Sequence, residues 1–306
     1  MDRNFAVEKK HSFQKGIARV RRNIPGWLMI LPCLWMIYIV IWNPTIRGMV
    51  LSLFEMKGYT PVEFCGLANY RAVMNDYLFV KTLLNTCAYV FWSLLLGYIP
   101  PIIVAVLLNE VVHLRGFFKF SIYIPVMLPS VAAALIWSFL YQPGDDGVLN
   151  MFLNVLNLPS SQWLQNEKLT IPLIVLFMTW KSFGSSVILY LASLQSVSQE
   201  LYEACILDGA SVRRKFTSIT LPHLRGIMLL MLVRQIIGIF QIMSEPLAMT
   251  GGGPNNASLS LSLQGYYYAF SYFQIDKALA LGVVTFAMLI VMTVFYFRLE
   301  RKCDDM

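Results

Sequence analysis

Six long apolar runs set the limits on this chain, at about residues 26 to 46, 83 to 108, 118 to 141, 170 to 193, 226 to 247 and 278 to 297. A hydrocarbon core about 30 Å thick takes roughly 20 helical residues to cross, so each run is long enough. Lipid offers backbone amides and carbonyls no partner, which forces such runs to be helical. The chain therefore reads as an all-α polytopic membrane protein with six transmembrane helices. Its composition agrees, with 57% hydrophobic and 13% charged residues over 306 positions, against roughly 25% charged in soluble domains.

Proline interrupts several runs: Pro32 and Pro44 in the first, Pro100 and Pro101 in the second, Pro125 and Pro129 in the third. Kinks or local openings are expected there. Lys and Arg fall unevenly on the two sides. The N-terminal arm, the Arg115/Lys119 connection, the 213–225 segment and the tail hold sixteen, the opposite side holds six, and Lys181 and Arg234 lie inside runs. By the positive-inside rule both termini are cytoplasmic. The expected division is a basic cytoplasmic arm at 1–25, a six-span domain at 26–298 and a short cytoplasmic tail at 299–306. The net charge of +7 sits beside apolar runs, where it meets anionic membrane lipid, so no nucleic-acid partner is expected. The arm is too long and polar for a cleaved signal peptide, so the first span is expected to stay. Five scattered cysteines and three distant histidines make neither a disulfide framework nor a metal site.

The segment LYEACILDGASVRRKFTSITLPHLRG, residues 201–226, breaks the apolar pattern. Leu194, Val197, Leu201 and Ala204 recur at helical spacing. A short amphipathic helix is expected to continue out of the fourth span, followed by a turn or close backbone approach at Gly209. A second helix from Arg213 to Ile219 would precede Leu221-Pro222, with Glu203 and Asp208 able to cap it or bond a partner. A solvated linker is the plainer alternative, yet a connection of some thirty residues between packed helices is uncommon.

Glu203, Ala204, Asp208, Gly209, Ala210, Phe216, Ile219, Leu221 and Pro222 fall on a pattern that resembles the EAA loop of binding-protein-dependent ABC importer permeases. Cys205 stands where a second alanine is usual, and Gly226 where proline is common. The likeness extends over most of the chain, through LPCLWMIYIVIWNPTIRGMVLSLFE, FCGLANYRAVM, RGFFKFSIYIPVMLPSVAAALIW and MTGGGPNNAS. It narrows to carbohydrate permeases of the maltose and glycerol-phosphate kind. The resemblance implies a coupling helix within about 195–225, with Tyr202 beside the motif residues, docking on a cytoplasmic ATPase. It also implies a second permease, two ATPase subunits, an extracytoplasmic solute-binding protein and a sugar-like solute. The chain has no G-x-x-x-x-G-K-[ST] phosphate loop. ATP and magnesium belong on the partner ATPase, and this chain is expected to carry neither cofactor nor covalent chemistry.

Lys181, Ser182, Ser185, Arg234, Gln235 and Gln241 are candidates to line a translocation path between spans four and five. Intramembrane charge usually faces protein or water. Close helix packing by the serines, or pairing of the charges with a carbonyl or a neighbouring subunit, is the alternative. Gly251, Gly252, Gly253 and Pro254 are candidates for a binding-protein docking loop, or form a plain turn. Aromatics such as Trp27, Trp42, Tyr141 and the Tyr266–Tyr268 run are expected in an interfacial belt. An ion-coupled carrier would call for a mid-span carboxylate and an internal repeat. Neither is visible, since Glu245 lies near a span end.

Overall fold

The apolar runs fold as helices longer than their apolar centres. The structure, a computed structural model, describes residues 26–110 and 114–304, with side chains through 298. The basic arm lies outside the described residues. Among the described residues, five helices are long and apolar enough to cross a membrane: α1 (Gly26–Leu51), α3 (Tyr77–Glu110), α7 (Glu167–Leu194), α9 (Val212–Phe240) and α12 (Ile275–Asp304, apolar to Arg298).

The third run departs from the expected single span. It forms α4 (Arg115–Met127) and α5 (Ser130–Leu140), bent by 95° to one another. The cause is local. The ring of Pro129 pushes the residue before it out of the helical region, and Leu128 is extended, with ψ 141°. Chain direction changes there, so the pair counts as one span only if both halves are taken together.

Other prolines act more gently. Wide π-turns occupy Tyr38–Trp42, Leu94–Tyr98 and Phe216–Thr220, each just ahead of Pro44, Pro100-Pro101 or Pro222. A proline ring collides with the carbonyl four residues back. One extra residue in the turn moves that carbonyl aside while the helix continues.

Between α1 and α3, an antiparallel hairpin of β1 (Phe54–Lys57) and β2 (Thr60–Phe64) leads to the short helix α2 (Ala68–Met74). The all-α expectation is corrected by this one hairpin. Gly58, at φ +60°, turns it. Buried Asn69 donates to the Ser52 and Phe54 carbonyls, each at 2.9 Å, which fastens α2 to the hairpin.

Helix α7 is central, packed against α3, α4 and α9. Lipid removes most hydrophobic drive between helices, so close backbone approach matters instead. Gly184 shows it: a Cβ there would lie 2.2 Å from the Ile122 carbonyl oxygen. Three smaller helices complete the outer part: α6 (Val148–Val155), α10 (Ser244–Thr250) and α11 (Leu261–Tyr266), the last continued by a wide turn to Ser271.

The aromatic belt is only partly realised. Trp27 and Trp42 are exposed, but Tyr141 and Tyr268 are buried. Tyr268 donates to Asp76 Oδ2 at 2.6 Å, while Asp76 Oδ1 caps α3 by accepting from the Leu78 amide. Burial, and then the bond to Asp76, raises the Tyr268 hydroxyl above its ordinary value, so it stays a neutral donor. The first, fully apolar part of α1 buries nothing against this chain.

Candidate functional site

Two regions collect the candidate residues. The first is the polar segment after α7. Its first helix, α8 (Gln199–Leu207), does not continue out of α7 as expected. Helix α7 ends at Leu194, and Ser198 is extended, with ψ 132°, so the chain changes direction before α8 starts. Gly209 ends α8 at φ +71°, and nothing lies within 4 Å of where its Cβ would be. The turn, not a close approach, is what this glycine serves. The paired bonds from the Gly209 amide to Ile206 and from the Ala210 amide to Cys205 close a left-handed helix cap.

The second helix is the start of α9, continuous with the fifth span from Val212 through the wide turn at Phe216–Thr220. Ser211 caps it by accepting from the Arg214 amide. Of the two roles open to Glu203 and Asp208, capping α9 is not taken: Glu203 accepts from Gln199 Nε2 at 3.0 Å, and Asp208 closes the C-terminal end of α8. Ser211 is nearer the first turn of α9, and its short side chain reaches the amides that a cap must satisfy.

This helix-turn-helix presents Leu201, Ile206, Leu207 and Val212 to the outside, Leu207 at 88% exposure. Its inner side is fastened. Tyr202 Oη lies 3.2 Å from Thr220 Oγ1, and Lys215 Nζ stands over the Tyr202 ring at 5.5 Å. Lys215 also pairs with Glu110 Oε1 at 3.0 Å, at the last residue of α3. His223 Nε2 lies 3.0 Å from both the Ser193 carbonyl and Ser196 Oγ, tying α9 to the end of α7. These contacts join the segment to α3, α7 and α9. Glu110, Lys215 and Thr220 are connections the sequence could not announce, since Glu110 and Lys215 are 105 residues apart.

The second region is a cavity of about 380 Å³ walled by α3, α4, α7, α9 and α10. Lys181, Ser182, Ser185, Arg234 and Gln235 all line it. Gln241 does not. It follows the end of α9 at Phe240 and lines a separate depression with Ser262, Gly282 and Thr285. Gly97 lets the walls close, because a Cβ there would lie 3.0 Å from Gln235 Nε2 and 3.1 Å from Thr179 Oγ1. Lys181 Nζ donates to the Leu128 carbonyl at 2.9 Å, satisfying an acceptor at the break between α4 and α5. Lining and carbonyl pairing, posed as alternatives for this residue, coexist.

Glu245 also lines the cavity, with Ser93, Thr179 and Ser186. The apolar run to residue 247 suggested a span end, but α9 stops at Phe240 and Glu245 lies in the first turn of α10. The Ser244-Glu245-Pro246 run, a helix-start signature, carried the signal.

The glycine-rich segment folds inward. Gly251 and Gly252 take φ +58° and +85°, and Gly251 alone of Gly251, Gly252, Gly253 and Pro254 is exposed. Asn85 Nδ2 donates to the Asn256 and Leu259 carbonyls at 2.8 and 2.9 Å, Tyr89 Oη to that of Ser258 at 3.0 Å, and Lys81 Nζ to that of Asn255. Glu167 accepts from Asn255 Nδ2 at 2.6 Å. Four side chains on two spans hold it.

Residues 97–305 match the family model described as "Binding-protein-dependent transport system inner membrane component". The chain is 31% identical to the trehalose/maltose transport system permease protein MalF of Thermococcus litoralis, over 92% of this chain and 95% of that one. It is 32% identical to the arabinooligosaccharides transport system permease protein AraP of Bacillus subtilis, over 78% and 77%. Its fold is similar to a chain in the crystal structure of a bacterial alginate ABC transporter in complex with an alginate pentasaccharide-bound periplasmic protein. That similarity has a TM-score of 0.83 at 24% identity, over 94% of this chain and 97% of that one.

Proposed function

This chain belongs to the binding-protein-dependent transport system inner membrane components, with sugar ABC transporter permeases as its relatives, and from there we propose that it is the membrane-spanning permease subunit of an ATP-driven importer for a sugar or related polyol. It sits in the inner membrane as a multi-pass protein, and the arginine and lysine distribution favours cytoplasmic termini. The maltose- and arabinooligosaccharide-system relatives support a saccharide solute. The periplasmic protein bound in the alginate transporter supports delivery by an extracytoplasmic binding protein, with the segment around Gly251–Pro254 as its candidate contact. A second permease and two ATPase subunits complete the assembly.

The observation that carries this reading is the helix-turn-helix at 199–220. It offers exposed apolar side chains outward and is fastened inward to α3, α7 and α9. An ATPase closing on α8 pulls those spans together, and the cavity between them changes the side it opens to. The cavity wall carries five hydroxyl side chains and the amide of Gln235, which suits a solute that must exchange its water for protein hydrogen bonds.

The test is to tag the chain, solubilise it gently and identify its companions by mass spectrometry. An ATPase and a second permease should be recovered, and the ATPase should be lost from a Gly209→Leu variant that still inserts. Recovery of the chain alone, even after cross-linking, would sink the importer reading. Glu245 in the cavity is a feature an ion-coupled carrier would share. Uptake that stops when ion gradients collapse while ATP is held constant would favour that rival.

A further inference from the structure

The cavity holds three ionisable side chains, Lys181, Arg234 and Glu245, and what already occupies each of them differs. Lys181 is engaged by the neutral Leu128 carbonyl. Arg234 makes no hydrogen bond or ion pair among the described residues, where the one ion pair joins Lys215 to Glu110. Arg234 is exposed where it lines the cavity, so its guanidinium is open to a ligand there. Its planar fork matches a carboxylate with two parallel bonds, which a hydroxyl cannot supply.

The α7 side of the cavity asks for something else. Ser182 Oγ donates to the Met178 carbonyl at 2.9 Å, and Ser185 Oγ to that of Ser182 at 2.7 Å. With their protons committed to the helix backbone, both hydroxyls face the cavity as acceptors. Helix α7 therefore presents acceptors for hydroxyl donors, while α9 presents a cationic donor. Two cations against one carboxylate leave the cavity net positive.

We infer that the cavity takes a polyhydroxylated anion, a saccharide bearing a carboxylate such as a uronic acid, with Arg234 holding the acid group and Ser182 and Ser185 accepting from sugar hydroxyls. This rests on the permease reading and narrows its solute.

The test uses the assembled transporter with Ser185→Cys, in a background where exposed Cys33 and Cys87 are replaced by serine. Modification rates are measured with a negatively charged sulfonatoethyl and a positively charged aminoethyl methanethiosulfonate, each normalised to its rate with a free thiol. The anionic reagent should be preferred, and adding Arg234→Gln should reduce that preference about tenfold. Digalacturonate should slow the modification, and neutral galactobiose should not. A charge preference that is absent, or indifferent to Arg234→Gln, would mean the guanidinium is already neutralised, as by an acidic residue of the second permease, and would overturn the inference. So would a thiol unreactive to both reagents with and without ATP. ATP-dependent uptake of neutral saccharide alongside an absent charge preference leaves the importer standing and removes only the acidic solute. Failure of the complex to assemble removes the importer itself.

Discussion

Single atoms decide two glycines for opposite reasons. Gly209 has open space around its missing Cβ but sits at φ +71°, a conformation that costs most residues about 1–2 kcal/mol. Asparagine tolerates that region, so Gly209→Asn should keep most ATP-dependent uptake while Gly209→Val loses at least about tenfold. Equal loss in both would mean the exposed surface at 209 matters rather than its backbone. Gly184 has ordinary dihedrals and no space. A methyl there meets the Ile122 carbonyl at 2.2 Å, backbone that a rotamer change cannot clear. Gly184→Ala should destabilise the purified complex by about 3 kcal/mol, at the upper end for overpacking, read as a lowered thermal midpoint. An unchanged midpoint would show α4 free to move from α7.

Between elements, the contact of Lys215 with Glu110 and Tyr202 is the joint between the exposed helices and α3. Glu110 is 59% exposed, so the pair adds at most about 1 kcal/mol of stability, and its removal should show in transport instead. Glu110→Lys should lower uptake several-fold, and adding Lys215→Glu should restore part of it. No rescue would assign the pair a surface role only. The wide turn at Phe216–Thr220 sets a rotation as well as relieving Pro222. Removing Ser218 should restore ordinary helix but turn the rest of α9 by about 100°. Arg234 and Gln235 would then leave the cavity, and uptake should cease with the span still inserted. Five of the spans, the proline breaks and the helical character of the loop were legible in the sequence because each is written in contiguous residues, whereas the third run was read as a single span. The wall of the cavity was legible only in part. Lys181, Ser182, Ser185, Arg234 and Gln235 were placed together by their span positions, whereas Gln241 was misplaced because α9 ends one residue before it. The joint to Glu110 has no local pattern to read.

At the scale of the molecule, the chain looks like one part of a larger body. The apolar stretch of α1 buries nothing against its own chain, and large side chains such as Trp27, Met29 and Val40 stand exposed along it. In a membrane, lipid or a neighbouring subunit would cover them. The broken third span has a consequence for the surrounding bilayer. Helix α4 has 13 residues and α5 has 11, lengths of about 20 and about 16 Å at 1.5 Å per residue. Neither half reaches across a hydrocarbon core of about 30 Å, and their 95° bend prevents them from adding end to end. Acyl chains beside the break therefore have less protein height to match, and the membrane should thin there to meet it. In proteoliposomes of graded acyl-chain length, uptake should be fastest in bilayers thinner than average and fall as the chains lengthen. A flat dependence would show the short wall shielded from lipid by another subunit.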